Sequence, residues 1–116
     1  MLLTLLKSKI HRAVVTNSNL NYEGSIFIDR NLLKAANILQ YERVEIYNVN
    51  NGARFSTYAV PVEMENEVCL NGAAARLVQA GDLIIICTYC QMSEAEAIIY
   101  KPSVVLLDGL TNKIGG

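Results

Sequence analysis

Tryptophan is missing from this chain, histidine occurs once, proline twice and cysteine three times. Each shortage closes a route. An odd number of cysteines is not a framework in which every thiol is bridged. Cys87-Thr88-Tyr89-Cys90 has C-x-x-C spacing, yet one such pair with a distant His11 falls short of the four ligands of structural zinc. The pair also ends the run Leu83-Ile84-Ile85-Ile86, which reads as a buried strand, and residues three apart on a strand face opposite ways. The thiols therefore read as buried and free, with no metal expected. A redox or metal protein built on Cys87 and Cys90 is the rival reading.

Charge is equally scarce. Charged residues make up 18 % of the chain, the net charge is −1 and the isoelectric point is about 5.8. That balance leaves no basic footprint for nucleic acid or for an anionic membrane surface. Lys7, Lys9 and Arg12 do cluster, but three cations on one segment read as a solvated strand face. No apolar run approaches the ~20 residues of a membrane helix. Residues 1–6 are apolar but too short for a signal segment, with no cation before them. The expected location is the cytoplasm, and neither nucleic acid nor membrane is an expected partner.

Apolar residues, by contrast, reach 52 % in 116 residues, with six tyrosines. A chain of this length is expected to form one domain, residues 1–116, around one core. An apolar share above the usual level, in so short a chain, points to surfaces buried between subunits. Tyrosine suits such surfaces, because its ring packs while its hydroxyl stays in use.

Turn signals come at close intervals. Residues 2–15 alternate as a strand, with Lys7, Lys9 and His11 on one face. Residues 17–24 are rich in Asn, Ser and Gly and read as a surface loop. Residues 25–28 form a short strand, and a helix follows, capped by Asp29 or Asn31 with Leu32, Leu33 and Ala36 at helical spacing. Strands over residues 44–49 and 54–62 are joined through Asn50-Asn51-Gly52, a hairpin signal. Further strands are expected at 68–70, 83–89 and 103–107, helical turns at 72–77 and 93–96, and a mobile tail over 111–116. Many short strands with little helix point to a small, mainly β barrel.

No conventional set of nucleophile, base and acid stands out. Four segments carry the chemistry instead: Lys9-Ile10-His11-Arg12, Asn21-Tyr22-Glu23-Gly24-Ser25, Arg54-Phe55-Ser56-Thr57-Tyr58 and Asn71-Gly72-Ala73-Ala74-Ala75. In this order and spacing they resemble the pyruvoyl-dependent aspartate decarboxylases. Taken singly, each has a plain alternative: a turn at Gly24-Ser25, exposed cations at Lys9 and Arg54, strand residues at Thr57 and Tyr58, and a helix start capped by Asn71.

The resemblance implies a six-stranded double-psi β-barrel with short helices, a topology that periodicity alone cannot supply. It implies self-cleavage between Gly24 and Ser25, with Ser25 Oγ attacking the Gly24 carbonyl and Thr57 assisting. The resulting ester eliminates to dehydroalanine, which hydrolyses to a covalent pyruvoyl group derived from Ser25. That group forms a Schiff base with the substrate amine and takes up the electron pair left by CO2, the work otherwise done by pyridoxal phosphate. Glycine before the bond suits strained backbone and leaves the carbonyl open.

For substrate, the resemblance implies L-aspartate, converted to β-alanine for pantothenate and coenzyme A. Lys9 and Arg54 then bind its two carboxylates, Arg54 with a two-pronged fork. Tyr58 returns the proton to the α-carbon. Thr57, Asn71, Gly72, Ala73 and Ala74 complete the substrate contacts, while His11, Tyr22 and Tyr47 line the pocket. The active sites are expected between subunits of a homotetramer. Nothing in the chain indicates an accessory maturation protein. Thr57 and Tyr58 pose a difficulty, since adjacent strand residues face opposite ways. Either the strand is distorted there or the two hydroxyls serve different surroundings.

The departures from the family pattern are small. Tyr47 stands where tryptophan is frequent, the segment 63–68 is one residue short, and the tail is short. A non-enzymatic double-psi barrel used as a binding module is the alternative, because it would keep the strands without needing Ser25, Arg54 or Tyr58.

Overall fold

The computed structural model describes residues 1–115. Its strands are β1 (Leu2–Val14), β2 (Asn17–Asn19), β3 (Ser25–Asp29), β4 (Arg43–Asn48), β5 (Arg54–Val62), β6 (Val68–Asn71), β7 (Leu83–Ser93) and β8 (Ser103–Leu106). Helix α1 (Arg30–Ala36) follows β3, a 3-10 turn (Gly72–Leu77) follows β6, and α2 (Glu94–Ile99) follows β7. The molecule is mainly β with short helices, as expected.

The strand order is β2-β6-β3-β5-β4-β7-β1-β8. Only Val15 and Thr16 separate β1 from β2, so the order bends back on itself. Following the pairings gives a ring of six members: β1 with β2, then β6, β3, β5, β4 and β7. The count agrees with the six-stranded barrel expected, and β8 runs parallel to β1 along its other side. Strand β5 serves two neighbours in turn. Its residues 54–58 pair antiparallel with β4, and residues 59–62 pair parallel with β3.

The core follows from register. Ile10, Ile86 and Ile46 stand opposite one another on β1, β7 and β4, and all three are fully buried. Ile26 faces Ala59 on one side and Leu70 on the other. Burying such side chains contributes about 1.5–3 kcal/mol each. Helix α1 adds Leu32, Leu33 and Ala36 to this cluster. It starts where the Asp29 carboxylate accepts from the Asn31 N–H at 2.8 Å and stops where Asn37 turns left-handed at φ 58°. The hairpin between β4 and β5 forms as expected, with Gly52 at φ +77°.

Two expectations change. Residues 17–19 are not loop: they pair in parallel with residues 69–71 as β2. Backbone ladders need no apolar side chains, so an Asn-Ser-Asn strand leaves no signature in composition. The tail is not loose over residues 111–115 either, while Gly116 lies outside the described residues. Asn112 is 1 % exposed, and its Oδ1 accepts from the Val14 N–H at 2.6 Å. Its Nδ2 donates to the carbonyls of Val14 at 2.8 Å and Asn66 at 3.0 Å. One amide thus ties the tail to the β1–β2 junction and to the turn before β6. Asn112→Ala strands these buried groups and is expected to cost about 1–3 kcal/mol. A drop in thermal midpoint without loss of secondary structure in the folded state is the expected readout; an unchanged midpoint would show that the clamp contributes nothing.

Candidate active site

Ser25 opens β3 directly opposite Asn71, the last residue of β6. Both side chains are buried, at 3 % and 1 % exposure. Asn71 was a candidate cap for the helical turn that follows, but its side chain caps nothing there. Instead its Nδ2 donates to Ser25 Oγ at 3.3 Å, and its Oδ1 accepts from the Cys69 thiol at 3.4 Å. The thiol occupies the oxygen end of the amide, which leaves the nitrogen end for the serine.

Gly24 lines a cavity of about 230 Å³ together with Phe55, Ser56, Thr57, Asn71, Ala73, Ala74 and Leu77. Here the structure corrects one expectation. Gly24 does not adopt a positive φ, and a Cβ built on it meets nothing within 4 Å. The backbone demand falls on Gly72, which sits at φ +67°. A Cβ there would lie 2.8 Å from Gly24 Cα, 2.9 Å from Gly24 N and 3.1 Å from Tyr22 O. The turn after β6 therefore packs backbone against backbone with the Gly24 segment, which only glycine permits. A larger hollow of about 460 Å³, beside Asp29, Glu63 and Asn112, contains none of the expected site residues.

Of the remaining expected residues, Lys9, His11, Tyr47, Arg54 and Tyr58 stand on strands of the β5-β4-β7-β1 sheet, while Tyr22 lies in the loop before β3. Tyr47 pairs with Arg54 on one side and Ile85 on the other, while Lys9 and Glu45 flank Cys87. The Arg54 guanidinium lies over the Tyr47 ring, with Cζ 3.9 Å from its centroid. Such stacking orients the guanidinium and leaves its N–H edge free for an anion. Neither Lys9 nor Arg54 has a carboxylate partner among the described residues. His11 Nδ1 is buried without a hydrogen-bond partner among the described residues. Burial first, and then the charges of Lys9 and Arg12, hold the imidazole pKa below its ordinary value.

The Thr57–Tyr58 difficulty resolves in favour of different surroundings. Thr57 lines the cavity beside Gly24. Tyr58 does not; it pairs with Arg43, is 39 % exposed and meets the Tyr41 ring edge-on at 6.2 Å. Tyr22 is exposed and packs edge-on against Phe27 at 5.3 Å. The expected residues thus fall into two groups in one chain. Gly24, Thr57, Asn71, Ala73 and Ala74 line the cavity, with Ser25 next to Gly24 and hydrogen-bonded to Asn71, whereas Lys9, His11, Tyr47 and Arg54 do not line it.

The cysteines are all free. Burial raises the pKa of Cys69 and of Cys87, although a hydrogen bond from Tyr89 and the charges of Lys9 and Arg54 pull Cys87 partly back. Both thiols are poorer nucleophiles for it. Cys90 is only half-buried, against expectation. One residue escaped the sequence reading altogether. The Tyr89 hydroxyl meets that of Tyr47 at 2.8 Å. It sits inside the Cys87–Cys90 segment, but nothing there pairs it with Tyr47, 42 positions away in the chain.

A ring this small fills its interior with side chains, so chemistry is left to strand ends and outer faces, where these hydroxyls, amides and cations stand. The class is that of a small, mainly β domain. Its sequence matches the family model described as aspartate decarboxylase over residues 1–114. It is 62 % identical over 106 residues to the aspartate 1-decarboxylase of Syntrophobacter fumaroxidans, covering 90 % of this chain and 86 % of that one. Identity to the aspartate 1-decarboxylase of Clostridium beijerinckii is 60 % over 109 residues, covering 93 % and 88 %. The enzyme of the same name from Pelotomaculum thermopropionicum is 60 % identical over 115 residues, covering 98 % and 86 %. The chain belongs to the aspartate decarboxylase family.

Proposed function

We propose that this protein decarboxylates L-aspartate at the α-carbon, giving β-alanine and CO2 for pantothenate and coenzyme A synthesis. The observation that carries the reading is Ser25, buried at the start of β3 with Asn71 on its Oγ and the Gly24 cavity beside it. The arrangement suits maturation of the chain at that bond. Ser25 Oγ attacks the Gly24 carbonyl carbon, the peptide C–N bond breaks and an ester forms. Thr57, in the same cavity, is placed to donate a hydrogen bond as charge builds on the Gly24 oxygen. Loss of the residue-25 α-proton then expels the Gly24 carboxylate. Water adds, ammonia leaves, and a pyruvoyl group caps the larger fragment.

The residues present fit that group. Its parent serine is shielded from solvent, and the adjoining cavity, floored by Ala73 and Ala74, has room for a four-carbon substrate. When formed, the pyruvoyl group supplies the electron sink for the pair left by departing CO2. The chain's own side chains do the rest. Arg54 grips one substrate carboxylate with its fork, and Lys9 takes the other. Tyr58 delivers the proton to the α-carbon, and Asn71 with the backbone N–H groups after it orients the substrate. His11, Tyr22 and Tyr47 shape the walls.

Lys9, His11, Tyr47, Arg54 and Tyr58 reach this chemistry in a homotetramer whose sites form between subunits. Two cations and an imidazole nitrogen that lack partners among the described residues, together with an exposed Tyr58, support that assembly. We place the enzyme in the cytoplasm on the same reading; no described helix is long and apolar enough to cross a membrane.

The test is direct. Incubated with L-aspartate, the purified protein is expected to release β-alanine and CO2 in equal amounts. Its denatured mass should divide into the 24 residues up to Gly24 and the 92 that follow, the larger one blocked to amino-terminal sequencing. Cleaved protein that makes no β-alanine would refute the assignment. An intact, inert chain would favour the binding-module alternative.

A further inference from the structure

Tyr89 and Tyr47 start far apart on the sheet surface. In register, Tyr47 stands opposite Ile85, and Glu45 opposite Cys87. Tyr89 is thus four positions along β7 from the partner of Tyr47, about 13 Å at the rise of a strand. Their hydroxyls nevertheless meet at 2.8 Å. Both rings must therefore lie down along the sheet toward each other, crossing the row that holds Lys9, Cys87 and Glu45. This roof accounts for a thiol on the outer surface being only 4 % exposed.

The consequence falls on Arg54. A phenol ring turns easily about its side-chain bonds unless something holds its far end. Tyr47 is held at that end by Tyr89, and one face of the same ring carries the Arg54 guanidinium at 3.9 Å. An arginine on a surface strand is otherwise long and rotatable, and it loses conformational freedom when it binds. A fixed platform removes part of that loss in advance. Tryptophan at position 47 would offer only an N–H donor, so the two-hydroxyl latch needs tyrosine on both strands.

We propose that Tyr89 is a positioning residue for substrate-carboxylate binding, acting on Arg54 through the Tyr47 ring. The inference rests on the assignment of Arg54 to the substrate carboxylate, and it adds the element that presents Arg54 in a binding-ready pose. Because the phenols make one bond between them, removing either hydroxyl has the same effect as removing both. Tyr89 touches neither Ser25 nor the Gly24 cavity, so it takes no part in maturation.

The experiment compares the cleaved wild-type protein with Tyr89→Phe, Tyr47→Phe and the double variant. Tyr89→Phe is expected to raise KM for aspartate about threefold to tenfold, the factor of one neutral hydrogen bond, with kcat within about twofold. Tyr47→Phe should match it, and the double variant should be no worse than either single one. Self-cleavage, read by denaturing mass, should be unchanged. A second readout does not depend on turnover: the Arg54 Nε–H proton resonance, shifted upfield by the ring beneath it, should move toward its free position in Tyr89→Phe.

An unmoved Arg54 resonance overturns the inference whatever the kinetics. Penalties that multiply in the double variant overturn it as well, because they mean that the hydroxyls act independently. A resonance that moves in a protein inert toward aspartate sinks the functional assignment and leaves the positioning role of Tyr89 standing.

Discussion

Ser25→Ala is expected to give a folded chain of 116 residues that never divides and makes no β-alanine. The fold should survive because Ser25 contributes little to it beyond its place in β3. Its Oγ accepts one 3.3 Å hydrogen bond from Asn71, and alanine fits the same space. Leaving the Asn71 amide unpaired costs about 1–3 kcal/mol. That is a fraction of the ~5–15 kcal/mol by which a domain of this size is stable. The chemistry, by contrast, loses its nucleophile and its only source of a ketone, and no neighbouring group can replace either. Denaturing mass, thermal melting and a β-alanine assay read the three outcomes separately. Measurable turnover by Ser25→Ala would end the self-processing mechanism.

Gly72→Ala should produce the second large effect, through geometry alone. The new methyl would stand 2.8 Å and 2.9 Å from backbone atoms of Gly24, which cannot swing aside as a side chain could. Overpacking of this kind costs about 1–3 kcal/mol, and an alanine held left-handed adds about 1–2 kcal/mol. Gly24 has to shift, and with it the carbonyl that Ser25 is proposed to attack. Cleavage is therefore expected to slow by at least about a hundredfold, since angstrom-scale misplacement of reacting groups carries such a factor. A time course of denatured mass measures this, and stability is best compared in uncut Ser25→Ala protein. Gly24→Ala is the matching control for stability, because its Cβ meets nothing within 4 Å. Wild-type cleavage by Gly72→Ala would show that the two backbones do not touch as described.

Much of the strand framework was legible because alternation and turn residues act locally. The Asn50-Asn51-Gly52 hairpin, the Asp29 cap and the strand at Leu83 are examples, and each rests on neighbours in the chain. The features that escaped depend on partners far away in sequence. Asn17-Ser18-Asn19 becomes a strand only because residues 69–71 lie alongside. Asn112 is a clamp only where Val14 and Asn66 converge on it. The Tyr47–Tyr89 latch requires two strands in one register.

The site was legible in a different sense. The resemblance named Gly24, Ser25, Thr57 and Asn71, and the fold brings those four to one cavity and its edge. Local reasoning set the demand for glycine at Gly24, where a bond was expected to open. The coordinates set it at Gly72, because close approach of two backbones is a tertiary fact. For Thr57 and Tyr58, strand periodicity raised the right question and the pairing of β5 answered it.

The thirteen residues of β1 lie between β7 and β8, and β2 is paired to β6. Every residue of β1 and β2 belongs to the short fragment that cleavage would release. Were the bond to open, that fragment would stay, because every rung of these ladders joins it to a strand on the far side of the cut. The mature molecule would then be two polypeptides arranged as only one could have arranged them. Its first folding would be a unimolecular event, complete before the cut, whereas any later refolding would require an encounter between two chains and depend on their concentration. With the proposed break at that bond, folding would have to come first and division second.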